Sequence, residues 1–407
     1  MSDSLTLRSI APSVFLPALV YEIGTGAIAP VIALLALDEG ASTRTAAFMF
    51  AVLNLGQVLG DLPAGALADR VGDRRAMVVA TGVAVVALLG CFVSTSLWVL
   101  GPALTLVGMA NATYYLGRMS YLSDVAPVYL RARAMSTLGG SHRIGLFIGP
   151  FVGAAAIAAF GLRAPFVIAM AAAAAAAVIL LVVPDVAPDP DQVAGTRGHT
   201  STWQMLSIHR RLFATLGAAV FLVGAVRAAR QTVLPLWAAH LGFSPERTSI
   251  IFGIASAVDM AMFYPSGKVM DHFGRLSVAV PSMALLGSAM IFLPLTHGSV
   301  SLTVVAMIMS LGNGIGSGII MTLGANTAPR DGRARFLAAW RLFSDSGNAA
   351  GPLLVSVVAL ATSVAVGISA VGGVGLLAAL ALARWVPRYS PYATVRSMRA
   401  LRAEAPD

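Results

Sequence analysis

The sequence predicts an all-α polytopic membrane protein of 12 transmembrane helices, built as two six-helix bundles related by pseudo-twofold symmetry. Three observations predict it. The 407 residues are 57% hydrophobic, with a mean hydropathy of +0.82, and only 11% are charged. A soluble domain carries about 25% charge, so most of this chain must be solvated by lipid. The apolar residues fall into twelve runs, each near the roughly 20 residues that a bilayer-spanning helix needs. A shift of 202 residues superposes the first six runs on the last six.

The runs lie at about 11–36, 45–68, 76–94, 98–122, 134–160 and 164–184, then 212–238, 247–268, 276–296, 300–325, 335–361 and 364–386. The first follows a short polar N-terminus without a small-residue cleavage site, so it reads as a membrane helix and not as a signal peptide. Basic residues set the direction. Nineteen of 27 fall in loops on one side, including Arg70, Arg74, Arg75, Arg131 and Arg133, and in the C-terminal tail; only Arg44, Arg163 and Arg247 fall in the opposite loops. By the positive-inside rule both termini are cytoplasmic. The stretch from Pro184 to Pro190 holds three prolines and two aspartates among its seven residues and stops the sixth run. The expected organisation is a bundle over 1–184, a cytoplasmic linker over 185–210, a second bundle over 211–386 and a cytoplasmic tail over 387–407.

The repeat is ungapped. Pro63, Gly65, Asp69 and Gly72 map onto Pro265, Gly267, Asp271 and Gly274. Asn111 maps onto Asn313, and Gly145, Gly149 and Pro150 map onto Gly347, Gly351 and Pro352. Hydropathy alone would not align glycines, prolines and loop charges, so the match indicates duplication. Six spans per half place both halves in the same orientation, a parallel repeat about an axis along the membrane normal.

The stretch Gly65-Ala66-Leu67-Ala68-Asp69-Arg70-Val71-Gly72-Asp73-Arg74-Arg75 resembles the helix 2–3 loop signature of the major facilitator superfamily, and Gly267 to Arg275 is a weaker copy in the second half. The segment Gly145-Leu146-Phe147-Ile148-Gly149-Pro150-Phe151-Val152-Gly153 resembles the antiporter motif of the drug:proton exporters in that superfamily, with Ser136 and Ala154 where the full motif has glycines. The resemblance covers the whole chain. It implies that Asp69 meets the N-terminus of the eleventh helix, where a carboxylate complements the helix dipole. Asp124 is placed to pair with Arg70 or Arg74, and both contacts would hold the cytoplasmic side shut. Independently of transport direction, Gly145/Gly149 and Gly149/Gly153 are small-xxx-small contacts that let helices approach closely.

Ionisable residues inside the runs are costly in lipid and face a cavity or a partner. Glu22 lies about 16 Å into the first helix at 1.5 Å per residue. It could exchange protons with a cavity, or form a structural pair with an arginine. Arg227 and Arg230 share a face of the seventh helix, as an anion site for substrate or as counter-ions for Glu22 and other acids. Arg143 and Asp259 are both about 14 Å deep. In the family architecture they can pair across the halves, with Gln57 and Asp345 as the symmetric contact; Arg341, one turn from Asp345, can pair with it locally instead. Asn54 and Asn348 are polar at similar depth, Arg118 can snorkel from the cytoplasmic end of helix 4, and His142 adjoins Arg143. Candidate cavity residues are Tyr21, Glu22, Asn111, Tyr114, Tyr115, Arg227, Arg230 and Asn313; Phe147, Trp237 and Trp340 could also stack a substrate. Candidate proton carriers are Glu22, Asp259 and Asp345.

The sequence holds no Gly-x-x-x-x-Gly-Lys-Ser/Thr loop and no His-Glu-x-x-His. No catalytic residue, cofactor or metal is expected, and no nucleic acid. The expected function is proton-coupled export of a small amphipathic compound by a monomer in a bacterial inner membrane. Alternatives are a metabolite symporter or lipid flippase, and a non-transporting sensor or scaffold.

Overall fold

A computed structural model describes residues 10–125, 128–184, 202–329, 333–390 and 392–397, with side chains left out at some further positions, Asp69, Asp124 and Asp271 among them. The linker residues 185–201 and the tail residues 398–407, and with them Arg197, Arg399 and Arg402, lie outside the described residues.

The helices follow the apolar runs closely. A π-helical turn, Ala11–Phe15, leads into α1 (Leu16–Ile28), and Pro30 separates α1 from α2 (Val31–Asp38). Then come α3 (Thr43–Val71), α4 (Asp73–Val93), α5 (Leu97–Val125), α6 (Val128–Phe160) and α7 (Ala164–Val182). The short helices α8 (Thr202–Ile208) and α9 (Arg210–Leu212) precede α10 (Ala218–His240), so the end of the expected linker is helical. The chain continues with α11 (Pro245–Phe273), α12 (Leu276–Phe292), α13 (Ser299–Ile315), α14 (Ile319–Thr327), α15 (Arg333–Ala361) and α16 (Val364–Tyr389). Among the described residues nine helical segments are long and apolar enough to cross a membrane. The other three expected spans, α3, α5 and α15, are helical over 29 residues each, about 43 Å at 1.5 Å per residue.

The chain divides into two compact units, residues 1–197 with 242–253, and 198–241 with 254–407. Inside the first, α1 packs on α6 and α7, and α4 packs on α5 and α7. Inside the second, α10 packs on α15 and α16, and α12 packs on α13 and α16. These are the same pairings under the 202-residue shift, so the repeat read in the sequence is also a repeat of helix contacts. The backbone carries it too. Gly40 and Gly242 have φ of +85° and +76°, and Gly72 and Gly274 have +85° and +90°; each pair is 202 residues apart.

At Gly72 the φ of 85° and ψ of 153° lie in a region open to glycine almost alone. The chain there ends α3 and starts α4 without a connecting loop, which explains why the signature needs its second glycine. Gly72→Ala is expected to cost about 1–3 kcal/mol, read as a lowered unfolding temperature of the purified protein, although a Cβ there would touch no atom within 4 Å.

Candidate functional site: buried acid–arginine clusters

In the first unit α1, α5 and α6 bring one acid and two bases together. Glu22 is fully buried. Arg118 Nη1 donates to its Oε1 at 2.6 Å, and His142 Nδ1 lies 2.8 Å from Oε2. Tyr115 Oη reaches Oε2 at 3.4 Å, and the Arg118 guanidinium sits 4.4 Å from the centre of the Tyr115 ring. A charge this deep is tolerable only when paired and hydrogen-bonded, and the cluster supplies both. The side chain of His142 is 38% exposed, so it links the buried carboxylate to the outside of the packed interior. Beside the cluster Tyr21 stacks on Tyr114 at 4.1 Å and donates to Asn111 Oδ1 at 2.6 Å. Tyr21 and Tyr114 belong to the apolar core of the unit. Of the candidate cavity residues, Tyr21, Asn111 and Tyr114 are buried, with Tyr21 engaging the other two, while Tyr115 is half-buried.

The structure corrects the reading of Arg118. It does not snorkel. It lies about 10 Å along the helix axis from the end of α5 at Val125, at 1.5 Å per residue. Its side chain, 12% exposed, turns inward to Glu22. Of the two readings of Glu22, the pair with an arginine is present, and its partner is one that sequence reasoning assigned elsewhere.

The second unit pairs its acids differently. Asp259 on α11 receives Asn313 Nδ2 at 2.9 Å and lies 3.7 Å from Arg230 Nη2, while Arg230 Nη1 donates to Ser310 Oγ at 2.9 Å. The duplicated asparagines therefore serve different partners, Asn111 a tyrosine and Asn313 an aspartate. Asp345 accepts from Arg341 Nε at 3.0 Å, the local alternative named above, and from Asn348 Nδ2 at 3.3 Å. Arg227 Nη2 donates to Gly316 O at 2.5 Å. That carbonyl is freed by the break between α13 and α14, where Gly318 has φ +74°. Ser282 Oγ on Gly312 O at 2.7 Å, and Ser266 Oγ on Ile315 O, occupy two more carbonyls of the same stretch. Non-helical backbone at membrane depth requires such internal partners.

Arg143 is half-buried on α6, and Gln57 is half-buried on α3. Asn54 Nδ2 bonds back to Phe50 O at 3.0 Å within α3. At the loop signature, Arg74 donates from Nε to Leu180 O at 2.6 Å and from Nη2 to Val183 O. It thereby caps the C-terminal carbonyls of α7. Arg70 is exposed, and Gly65 stands opposite Leu116. The expected roles of Asp69, Asp124 and Asp271 rest on side chains outside the described residues.

Gly145, Gly149 and Gly153 of α6 face the first helical segment, Leu16–Ile28. A Cβ on Gly149 would lie 2.6 Å from Ala27 N, and one on Gly153 would lie 2.8 Å from Ala27 O. Pro150 sits inside α6. Sequence reasoning found these contacts but not their partner. It also missed Glu39, whose Oε1 accepts from Ser94 Oγ and from Arg163 Nη2 at 3.3 Å, joining three loop regions of the first unit. The signal was Arg163, one of only three basic residues on that side.

The model of the major facilitator superfamily matches residues 14–352. Curated relatives include the multidrug resistance protein MdtG of Enterobacter lignolyticus (strain SCF1), 25% identical over 169 residues, and that of Klebsiella pneumoniae (strain 342), 27% identical over 171 residues. The alignments cover 40% and 41% of this chain, and the chain spans about two fifths of the length of these relatives. Among solved structures, a D-xylose-proton symporter aligns over 95% of this chain and 98% of its own, with a TM-score of 0.70 and 17% identity. The human organic anion transporter MFSD10 aligns over 93% of this chain and 100% of its own, with a TM-score of 0.67 and 16% identity. At these identities the structures share the fold.

Proposed function

The chain belongs to the major facilitator superfamily, and from that premise we propose that it is a secondary active transporter exporting a small amphipathic compound from a bacterial cytoplasm in exchange for protons. The observation that carries the reading is Glu22: a fully buried carboxylate at membrane depth, held by Arg118 at 2.6 Å and reached by the half-exposed His142 at 2.8 Å. Intramembrane acids of this kind mark proton relays. His142 supplies the route by which a proton enters. Protonation cancels the carboxylate charge and weakens its hold on Arg118, which biases the bundle toward its other access state. Asp259 and Asp345 are the further proton-carrying candidates. Export as the direction is supported by the curated relatives, named for multidrug resistance, and by the Gly145–Gly153 stretch.

The test is proton flux in proteoliposomes with an imposed pH gradient, using a panel of amphipathic dyes as substrates. Antiport is expected, and Glu22→Gln should reduce substrate-driven proton movement at least tenfold while leaving dye binding measurable. Movement of protons and dye in the same direction would overturn export. No substrate-linked flux with any compound would overturn transport itself.

A further inference from the structure

We infer that the C-terminal end of the second unit is a binding surface for the headgroups of anionic phospholipids in the cytoplasmic leaflet. From Arg384 to Arg402 the sequence has five arginines and no acid. Arg384 and Arg388 lie on the last turns of α16 and the other three follow it, ahead of Glu404 and Asp407; clustered basic residues at the cytoplasmic end of a membrane helix are the composition that recruits anionic lipid. The structure arranges the described part of this stretch as a surface. Arg384, Arg388 and Arg396 are exposed. Arg384 and Arg388 flank the Trp385 ring, at 5.0 and 5.7 Å from its centre. Tyr392 and Val395 are 36% and 37% exposed beside them in the chain. An indole and a phenol among cations suit the interfacial zone, where aromatic rings sit at headgroup level.

A polar tail could simply leave the bundle, but this one is fastened down. Arg275 N and Leu276 N, two N–H groups at the start of α12 that no helical carbonyl can reach, donate to Tyr392 O and Ala393 O at 3.0 Å each. The Arg275 guanidinium lies 5.2 Å from the centre of the Tyr392 ring and donates to Met270 O at 3.0 Å. Gly274 makes room: a Cβ there would stand 2.7 Å from Ala393 O. Ala393 is 3% exposed. Thr394 and Ser397 then exchange bonds, Thr394 N to Ser397 Oγ at 3.0 Å and Ser397 N to Thr394 Oγ1 at 3.2 Å, which opens a helical turn at Val395. Arg384, Arg388 and Arg396 therefore stand at the end of α16 and in a stretch fastened against the α11–α12 junction. On the topology given by the positive-inside rule this is the level of the cytoplasmic headgroups. Positive-inside topology alone requires only that the charges be present. It does not require an acid-free stretch strapped by backbone bonds and interleaved with aromatic residues.

The test is lipid retention by the full-length protein purified in detergent and titrated with phosphatidylglycerol or phosphatidylcholine, with bound lipid counted by mass spectrometry. The wild type should retain phosphatidylglycerol at least tenfold more tightly than phosphatidylcholine, and the preference should fall as salt is raised. Replacing Arg384, Arg388 and Arg396 together by glutamine should abolish the preference, and replacing the same three by lysine should keep it. A partial set, Arg388→Gln with Arg396→Gln, should weaken it should the full glutamine variant fail to fold. Equal retention of the two lipids by the wild type, or unchanged preference in the folded glutamine variants, would overturn the inference.

Discussion

Replacing Arg118 with alanine is expected to destabilise the protein by about 3–5 kcal/mol, the cost of leaving one member of a buried ion pair without its partner. Glu22 has no exposure through which water could solvate it in place of the guanidinium. His142 at 2.8 Å offers a second cation when protonated, which puts the expectation at the lower end of that range. The double variant Glu22→Gln with Arg118→Met removes both charges and keeps most of the volume. It should fall within about 1 kcal/mol of the wild type, because an apolar replacement of a buried pair is often neutral. A thermal-unfolding cycle of Glu22→Gln, Arg118→Met and their double in detergent measures the coupling. An Arg118→Ala variant as stable as the wild type would mean the pair is not formed. The same double variant should lose proton coupling while remaining folded, which separates the stabilising role of the pair from its proposed role in transport.

The membrane fold was legible because lipid imposes length and polarity limits that twelve apolar runs display directly. The duplication was legible because Gly72 and Gly274 share a positive φ that favours glycine, a requirement written directly in the residue type. The acid clusters were legible only in part. Arg341 and Asp345 are one turn apart on one helix, so spacing alone could pair them. Glu22, Arg118 and His142 come from three helices, and no spacing rule joins residues 96 positions apart. Arg118 was read as snorkelling because it lies close to the end of its apolar run; the carboxylate that holds it instead, Glu22, stands on another helix. The acid–arginine clusters also sit on different helices in the two units, with Glu22 on α1 in the first and Asp259 and Asp345 on α11 and α15 in the second. The repeat thus keeps its helix pairings while the clustered charges of its two copies differ.

Gly149→Leu is expected to abolish the folded state. On the α1-facing side of α6 a Cβ at residue 149 would meet Ala27 N, Gly26 C and Ile23 O, all at 2.6 Å. These are backbone atoms, which cannot rotate aside as a side chain would, so the helices must separate along the whole contact. Gly26 faces back across the same seam, where a Cβ would stand 2.7 Å from Gly145 O, so the approach is tight from both sides. Overpacking of an ordinary core costs about 1–3 kcal/mol. Here α1 also carries Glu22, and a shift of α1 would break the pair with Arg118 as well. Gly149→Ala should therefore already lose about 1–3 kcal/mol, and leucine should yield no monodisperse peak on size exclusion. The control lies on the same helix. Gly140 has no atom within 4 Å of an added Cβ, so Gly140→Leu should change stability by no more than about 0.5 kcal/mol. If both leucine variants behave alike, the close packing of α1 on α6 is not what the antiporter-like glycines provide; if only Gly149→Leu fails, those glycines are first a packing seam, and any part they play in transport acts by holding Glu22 in place.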